Sequence, residues 1–166
     1  MSVEALNALD EAAARASFER CCVSRRWIEE MLSARPYGDA DAVRRQARKS
    51  WQALGEKDWL EAFSGHPRIG DVTSLRARYA ASAELAAGEQ SGVAAAGDDV
   101  LEGLARGNAA YEERFGFIFI VCATGRSADE MYALLKARLA NDRATELAIA
   151  ADEQLKILLL RLEQLL

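Results

Sequence analysis

The chain has 166 residues, of which 51% are hydrophobic and 28% charged, and its formal net charge is -5. This length and composition are typical of a globular protein with one core, which needs no disulfide or metal to fold, so we expect residues 1–166 to form a single domain. The negative charge argues against general binding to nucleic acid or to anionic membranes, although a few local arginines can still hold a small anionic ligand.

The cysteines and the N-terminal segment indicate the compartment. The three cysteines, Cys21, Cys22 and Cys122, have neither the spacing of metal ligands nor the even number of a disulfide framework. The N-terminal segment lacks the basic flank and apolar core of a secretory signal, and no apolar run is long enough to span a membrane. We therefore expect a cytoplasmic protein that binds no metal.

The first third of the chain predicts four helices from the spacing of its apolar residues. The first three cover residues 3–9, 11–22 and 24–34, and the third ends there because Pro36 disfavours helical geometry at the residue before it. Asp39 is the expected N-cap of the fourth, which ends at Gly55. The residues expected on its buried face are Val43, Ala47, Trp51 and Leu54.

The middle of the chain predicts two more helices. The short segment EKDWLEAFSG ends at Gly65 and is expected to direct Trp59, Leu60 and Phe63 inward. An alanine-rich helix is expected over 73–87, and the glycines of the following segment EQSGVAAAG allow only a turn or two.

The last third begins with an amphipathic helix over 98–116. The apolar run FIFIVCA, 117–123, fits a buried strand or a buried helix, and periodicity does not decide between them. Ser127 and Glu130 have the spacing of a capping box that opens the next helix, and the final helix covers 144–165. The expected buried residues of these helices are Val100, Leu101, Leu104, Ala105, Asn108 and Tyr111, then Met131, Leu134, Leu135 and Leu139, then Leu147, Ala151, Leu155, Leu158, Leu162 and Leu165. Together the segments predict an all-α, single-domain helical bundle of about eight helices.

Three polar residues stand at positions that are unusual for surface side chains. Arg161 lies in an almost wholly apolar turn, where it either extends to solvent or pairs with a core carboxylate, or lines a pocket and binds a planar polar ligand. His66, the single histidine, follows a helix end and precedes Pro67, which suits a side chain at a pocket rim as well as a structural histidine. Glu89 follows Gly88 on a predicted turn, so it is either a solvated carboxylate or a partner of His66 in proton transfer.

Several ordered segments resemble one enzyme family. They are HPRIGD at 66–71, EQSGV at 89–93, FGFIFIVCATGRS at 115–127, LKARLAND at 135–142 and LRLEQL near the end. With their spacing, they are similar to the bacterial form of 2-oxo-4-hydroxy-4-carboxy-5-ureidoimidazoline (OHCU) decarboxylase over essentially the whole chain. The resemblance implies an all-helical fold, usually a homodimer, and a cofactor-free decarboxylation of a small ureidoimidazoline to (S)-allantoin, the last step of urate degradation.

The resemblance also implies which residues form the site. It assigns catalysis to His66, Glu89 and Arg161, and its remaining assignments concern substrate binding. The implied substrate-binding residues are Pro67, Ala86, Gln90, Phe119, Ile120, Val121, Cys122 and Ala123. Ala86 replaces the serine that is usual in the family, so one expected hydrogen bond to the ligand is in doubt.

Two other classes of function stay open at this stage. The chain could be a helical binding or interaction module that keeps the fold without the chemistry, and Ala86 is the feature in its favour. It could also be a metal- or thiol-dependent enzyme that uses Cys21 or Cys122, although one histidine and unpaired cysteines argue against this.

Overall fold

The structure, a computed structural model, describes residues 1–68, 72–77, 79 and 97–166. Within these residues the helices with defined bounds are α1 (Val3–Ala8), α2 (Glu11–Glu19), α3 (Arg25–Ser33), α4 (Ala40–Gln52), α5 (Glu56–Ser64), α6 (Asp98–Phe115), α7 (Ala128–Leu139) and α8 (Arg143–Leu165). Residues 72–77 are also helical, and they are the described beginning of the helix predicted over 73–87. The described part contains no strand, so the predicted all-α class is confirmed. No helix in that part is long and apolar enough to cross a membrane.

The predicted helix starts depend on local caps that the structure contains. The Asp39 carboxylate accepts a hydrogen bond from the Ala42 N–H at 2.6 Å, which opens α4. Ser127 and Glu130 form the predicted reciprocal capping box of α7.

Two predicted ends were wrong by three residues. The fourth helix stops at Gln52, and Gly55, where it was expected to end, is the N-cap of α5. α2 stops at Glu19 instead of residue 22, because the chain tightens into a turn in which the N–H groups of both cysteines at 21–22 donate to the Phe18 carbonyl.

The apolar run 117–123 is neither of the two elements considered for it. Gly116, with a φ of 80°, ends α6 in a left-handed conformation, and the chain then runs without helix or strand to the turn before α7. Burial alternates at the start of the run, where Phe117 and Phe119 are buried and Ile118 is half-buried. The run therefore has the alternation of a strand without a partner strand among the described residues.

Contacts divide the chain into two compact units. The first contains residues 1–66, 120–122 and 147–166, and the second contains 67–119 and 123–146. In the first unit α3 packs against α2, α4 and α5. Trp27 of α3 is fully buried, its ring meets Phe18 edge to face with centroids 6.0 Å apart, and its indole N–H donates to the Ala47 carbonyl at 3.1 Å. The predicted inner face of the fourth helix is buried, with Val43, Ala47 and Trp51 in α4 and Leu54 just after its end, whereas Trp59 and Leu60 of α5 are only half-buried.

The second unit packs α6 against α7 and holds an ion pair in its core. Arg138, expected on no buried face, is buried at the position after Ala128, Met131 and Leu135, while Leu134 and Leu139 are half-buried. Its guanidinium donates to the carboxylate of the fully buried Glu146. The Tyr111 hydroxyl donates to the same carboxylate at 2.6 Å, and the Asn141 side chain donates to it at 3.0 Å. The carboxylate is thus held by an arginine, a phenol and an amide.

The buried face of α8 differs from the predicted one, because Glu146, Ala150 and Gln154 are buried although none of them was expected there. Leu155 is half-buried, and Gln154 takes its place in the core with 1% of its surface exposed. The step from Ala151 to Gln154 to Leu158 keeps the spacing of three and four that a core-facing helix needs. A polar side chain therefore stands inside an apolar stripe, where it needs a hydrogen-bond partner.

Candidate active site

His66 is positioned by the end of α5. Gly65 follows the helix, and the His66 N–H donates to the Phe63 carbonyl at 3.1 Å in a closing turn. A Cβ atom at Gly65 would come within 2.6 Å of a Val23 side-chain carbon, so only glycine lets the chain pass this closely. The turn therefore sets the direction in which the half-buried imidazole leaves the backbone.

The imidazole of His66 is held by Gln154 of α8. Its Nε2 lies 2.5 Å from the Oε1 of Gln154. Burial lowers the pKa of His66 below its ordinary value, the positive charge of Arg161 lowers it further, and the bond to Gln154 offsets part of the effect. The side chain is accordingly a neutral imidazole at neutral pH, the form that can accept a proton.

Arg161 lies seven residues after Gln154, two turns along the same face of α8. It is half-buried, and its Nη1 donates to the Cys21 carbonyl at 3.5 Å. Within the described ranges its guanidinium forms no ion pair. It borders a cavity of about 510 Å³ lined by Met1, Ser17, Arg20, Cys21, Arg161, Gln164 and Leu165. Of the alternatives for this arginine, the described part of the chain supports a pocket position, with donors left for a ligand.

The neighbouring thiols are poor nucleophiles. Burial raises the pKa of Cys21 to about 11 and that of Cys22 to about 12, and the charge of Arg161 offsets only part of the increase. Both thiols stay protonated at neutral pH. Cys21 is therefore unsuited to the thiol-dependent chemistry considered as an alternative.

The segment 120–122 is tied to α8 by a side chain. The Cys122 N–H donates to the Glu153 carboxylate at 3.2 Å, and 12% of the Glu153 side chain is exposed. Ile120 is buried, and Val121 and Cys122 are half-buried. The first unit thus contains His66, Arg161 and this segment, each against or on α8.

Of the other predicted binding residues, three belong to the second unit and the rest are outside the described residues. Pro67, Phe119 and Ala123 belong to the second unit, and Pro67 is exposed while Ala123 is half-buried. The Phe119 ring packs against Tyr111 with centroids 5.2 Å apart and under the Arg138 guanidinium at 4.6 Å, so this side chain is part of the core. Ala86, Glu89 and Gln90 lie outside the described residues, and their roles stay predictions.

Sequence reasoning missed two residues of this site, Gln154 and Glu153. Gln154 had a detectable signal, because a glutamine on an otherwise apolar stripe must find a buried partner. Glu153 had none, because its contact with Cys122 joins segments 31 residues apart through an irregular backbone.

Comparisons with known proteins decide the family. The family model described as OHCU decarboxylase matches residues 7–163. The chain belongs to the OHCU decarboxylase family. Members of this family are carbon–carbon lyases, so the chain is a decarboxylase of urate degradation.

The relatives of this OHCU decarboxylase include whole and partial matches. It is 38% identical over 146 residues to the uric acid degradation bifunctional protein TTL of Arabidopsis thaliana, covering 87% of this chain and 45% of the plant protein. It is 26% identical to the 2-oxo-4-hydroxy-4-carboxy-5-ureidoimidazoline decarboxylase of Haloferax volcanii, covering 99% of this chain and 95% of that protein. A crystal structure of OHCU decarboxylase in the presence of (S)-allantoin matches with a TM-score of 0.70 and 37% identity, over 89% of this chain and 95% of that one.

Proposed function

We propose that this protein converts OHCU to (S)-allantoin, with no cofactor, and that His66 and Arg161 act in the reaction. One observation carries the assignment: a neutral histidine is held against α8 two turns from an arginine whose guanidinium has donors left for a ligand. The family supplies the reaction, and this pair supplies a proton acceptor and, two turns along α8, a set of hydrogen-bond donors.

The substrate carries its own electron sink. Its carboxylate and hydroxyl share one ring carbon, and the adjacent ring carbon, which bears the ureido group, is part of a carbon–nitrogen double bond. When the bond to the carboxylate breaks, its electron pair forms a carbon–carbon double bond, and the electrons of the carbon–nitrogen bond move to nitrogen, which takes a proton. Carbon dioxide leaves as an enol forms. Cofactors are recruited where a substrate cannot stabilise such charge, so the chemistry here requires none.

His66 acts on the hydroxyl of that substrate. As a neutral imidazole it accepts the hydroxyl proton, which turns the enol into the carbonyl of allantoin. The adjacent carbon then takes one proton. Because the protein surrounds the ring asymmetrically, this proton arrives on one face and gives one enantiomer, (S) by family expectation.

Arg161 orients the ring by donating hydrogen bonds from its guanidinium N–H groups to a ring or ureido carbonyl oxygen. Glu89 is assigned to the ring and ureido nitrogens on the resemblance alone. The backbone of 120–122 supplies further hydrogen-bonding groups beside the substrate. The bond from Cys122 to Glu153 supports this assignment, because a fixed segment presents its backbone groups in one arrangement.

We also propose a domain organisation, an oligomeric state and a cellular location. Residues 1–166 act as one domain, the active species is a homodimer, and the enzyme works in the cytoplasm on a small molecule. The family resemblance supports the dimer. Sedimentation equilibrium of the purified protein tests it, and a single monomeric species with full activity would contradict it.

The test of the function is an assay with freshly made OHCU. The protein should accelerate loss of substrate and give allantoin with a circular dichroism signal, whereas uncatalysed decay gives the racemate. His66→Asn should lower kcat by roughly a hundredfold or more while the melting temperature stays close to that of the wild type. A racemic product, or wild-type kcat in His66→Asn, would refute the mechanism. No acceleration by the wild type would leave the binding module as the better interpretation.

A further inference from the structure

We infer that Gln154 is a positioning residue that holds His66 as the tautomer with its proton on Nε2, so that Nδ1 is the atom that accepts the substrate proton. The inference rests on the proposed function for the source of that proton. The tautomer itself is a property of the free protein and can be measured without substrate.

The geometry points to this tautomer. The Oε1 atom of Gln154 lies 2.5 Å from Nε2 of His66, and an amide oxygen carries lone pairs but no hydrogen. For these atoms to form a hydrogen bond, Nε2 must be the donor. In a neutral imidazole the other nitrogen, Nδ1, then has the free lone pair.

Both partners are held in place. Gln154 is 1% exposed in the buried stripe of α8, between Ala151 and Leu158. His66 is fixed at the end of α5 by the turn to Phe63 and by the close passage of Gly65. Rotation of the ring by half a turn would break the bond to Gln154 and leave a buried amide without that partner, which is unfavourable.

A neutral amide suits this position better than a carboxylate. A carboxylate beside the ring would favour the imidazolium and leave less free base at neutral pH. Among the charged groups of the described residues, Arg161 is the one that acts on His66, and its charge also favours the neutral ring. Once Nδ1 has taken the proton, both ring nitrogens carry hydrogen, and the Nε2–H stays bonded to Gln154 while Nδ1–H can return a proton to the ring carbon.

The sequence offers an unusually clean spectroscopic test, because His66 is the only histidine in the chain. Protein labelled with ¹⁵N-histidine gives a single imidazole spin system, apart from any purification tag, which must be removed. Nε2 couples to both ring-carbon protons, whereas Nδ1 couples strongly to only one. Above neutral pH we expect one pyrrole-type nitrogen assigned to Nε2 and one pyridine-type nitrogen assigned to Nδ1. A proton on Nδ1, or shifts that average both tautomers, would overturn the inference whether or not the protein decarboxylates OHCU.

Two variants extend the test to the reaction. Gln154→Met keeps the length of the side chain and removes the acceptor. It should move the nitrogen shifts towards the tautomer average and lower kcat about tenfold with little change in KM, because Gln154 is 1% exposed and acts through its bond to His66. Wild-type shifts and wild-type kcat in Gln154→Met would contradict the inference.

Gln154→Glu places a charge at the same atom. It should lower kcat/KM at neutral pH by about tenfold or more, and the activity should return as the pH is raised, because the added carboxylate favours the protonated ring. Gln52→Glu, the same change at an exposed residue of α4, is the matched control and should keep the wild-type pH profile. An unshifted acid limb in folded Gln154→Glu would argue against Gln154 as the group that controls His66. If this variant fails to fold, the nitrogen spectra of the wild type and of Gln154→Met still decide.

Discussion

The Glu153 carboxylate accepts a hydrogen bond from the Cys122 backbone N–H at 3.2 Å. This bond fixes an irregular segment, 120–122, to the helix that carries Gln154 and Arg161. In the part of the chain that the structure describes, this segment belongs to no helix or strand, and the Glu153 side chain accepts one of its backbone hydrogen bonds. Glu153 also lies 3.4 Å from the ammonium of Lys156, one turn further along α8.

Removal of this anchor should affect substrate binding more than stability. In Glu153→Ala the segment loses one hydrogen bond, and we expect KM for OHCU to rise up to about tenfold, with kcat changed less. Glu153→Gln keeps an oxygen that can accept from Cys122 and should retain most of the affinity. Asp152→Ala, at the exposed neighbouring residue, is the control for loss of a carboxylate from α8. Steady-state kinetics measure the effect, and an unchanged KM in Glu153→Ala would separate 120–122 from the binding site.

Replacement of the Arg161 guanidinium by a lysine ammonium should weaken substrate binding. Arg161→Lys keeps the positive charge but loses the rigid planar arrangement of N–H donors that the guanidinium presents to a carbonyl oxygen. We expect KM to rise about ten- to a hundredfold, the scale of a hydrogen bond to a charged group, with a smaller effect on kcat. Arg20→Lys, an exposed arginine beside the same cavity, provides the comparison. Equal KM values in wild type and Arg161→Lys would show that the planar guanidinium donors do not hold the substrate.

Loss of one partner of the buried Arg138–Glu146 ion pair should lower the free energy of unfolding. Arg138→Met leaves Glu146 charged and buried without its arginine, and we expect a loss of about 3–5 kcal/mol in the free energy of unfolding. The double variant Arg138→Met with Glu146→Gln removes both charges and leaves the glutamine able to accept from Tyr111. It should recover most of the lost stability. Urea denaturation of the four proteins forms a double-mutant cycle, and additive losses would contradict the coupling.

Much of the helical fold was predictable because its signals are local. Asp39 caps the helix whose buried face the spacing of apolar residues predicts, and Ser127 with Glu130 caps another. These interactions join residues three positions apart, so the sequence alone contains them. The position of His66 after a helix end was likewise apparent from the glycine before it.

The rest depends on contacts between distant segments. The run 117–123 has the composition of a strand or a buried helix, yet its backbone is held in part by Glu153. Arg138 and Glu146 are on none of the predicted buried faces, because each becomes tolerable in the core only beside the other. The partner of His66 could not be named for the same reason, since Gln154 lies 88 residues away. The roles of Ala86, Glu89 and Gln90 stay predictions.

The depressed pKa of His66 should make stability depend on pH in a defined direction. Burial and the charge of Arg161 hold the folded-state pKa below 6.5, the ordinary value that the unfolded chain has. Between the two values the unfolded chain binds a proton that the folded protein does not, so this contribution to stability is complete above pH 6.5 and is lost as the pH falls towards the folded-state pKa. His66→Asn cannot bind that proton. The difference in free energy of unfolding between wild type and His66→Asn should therefore be constant from about pH 8 to about pH 7. At about pH 5.5 the wild type should have lost stability relative to His66→Asn. Urea denaturation at each pH measures it, and because the chain has one histidine, carboxylates titrate equally in both proteins and cancel. A difference that stays flat to about pH 5.5, or that shifts in favour of the wild type, would mean that His66 is not held as a desolvated neutral base.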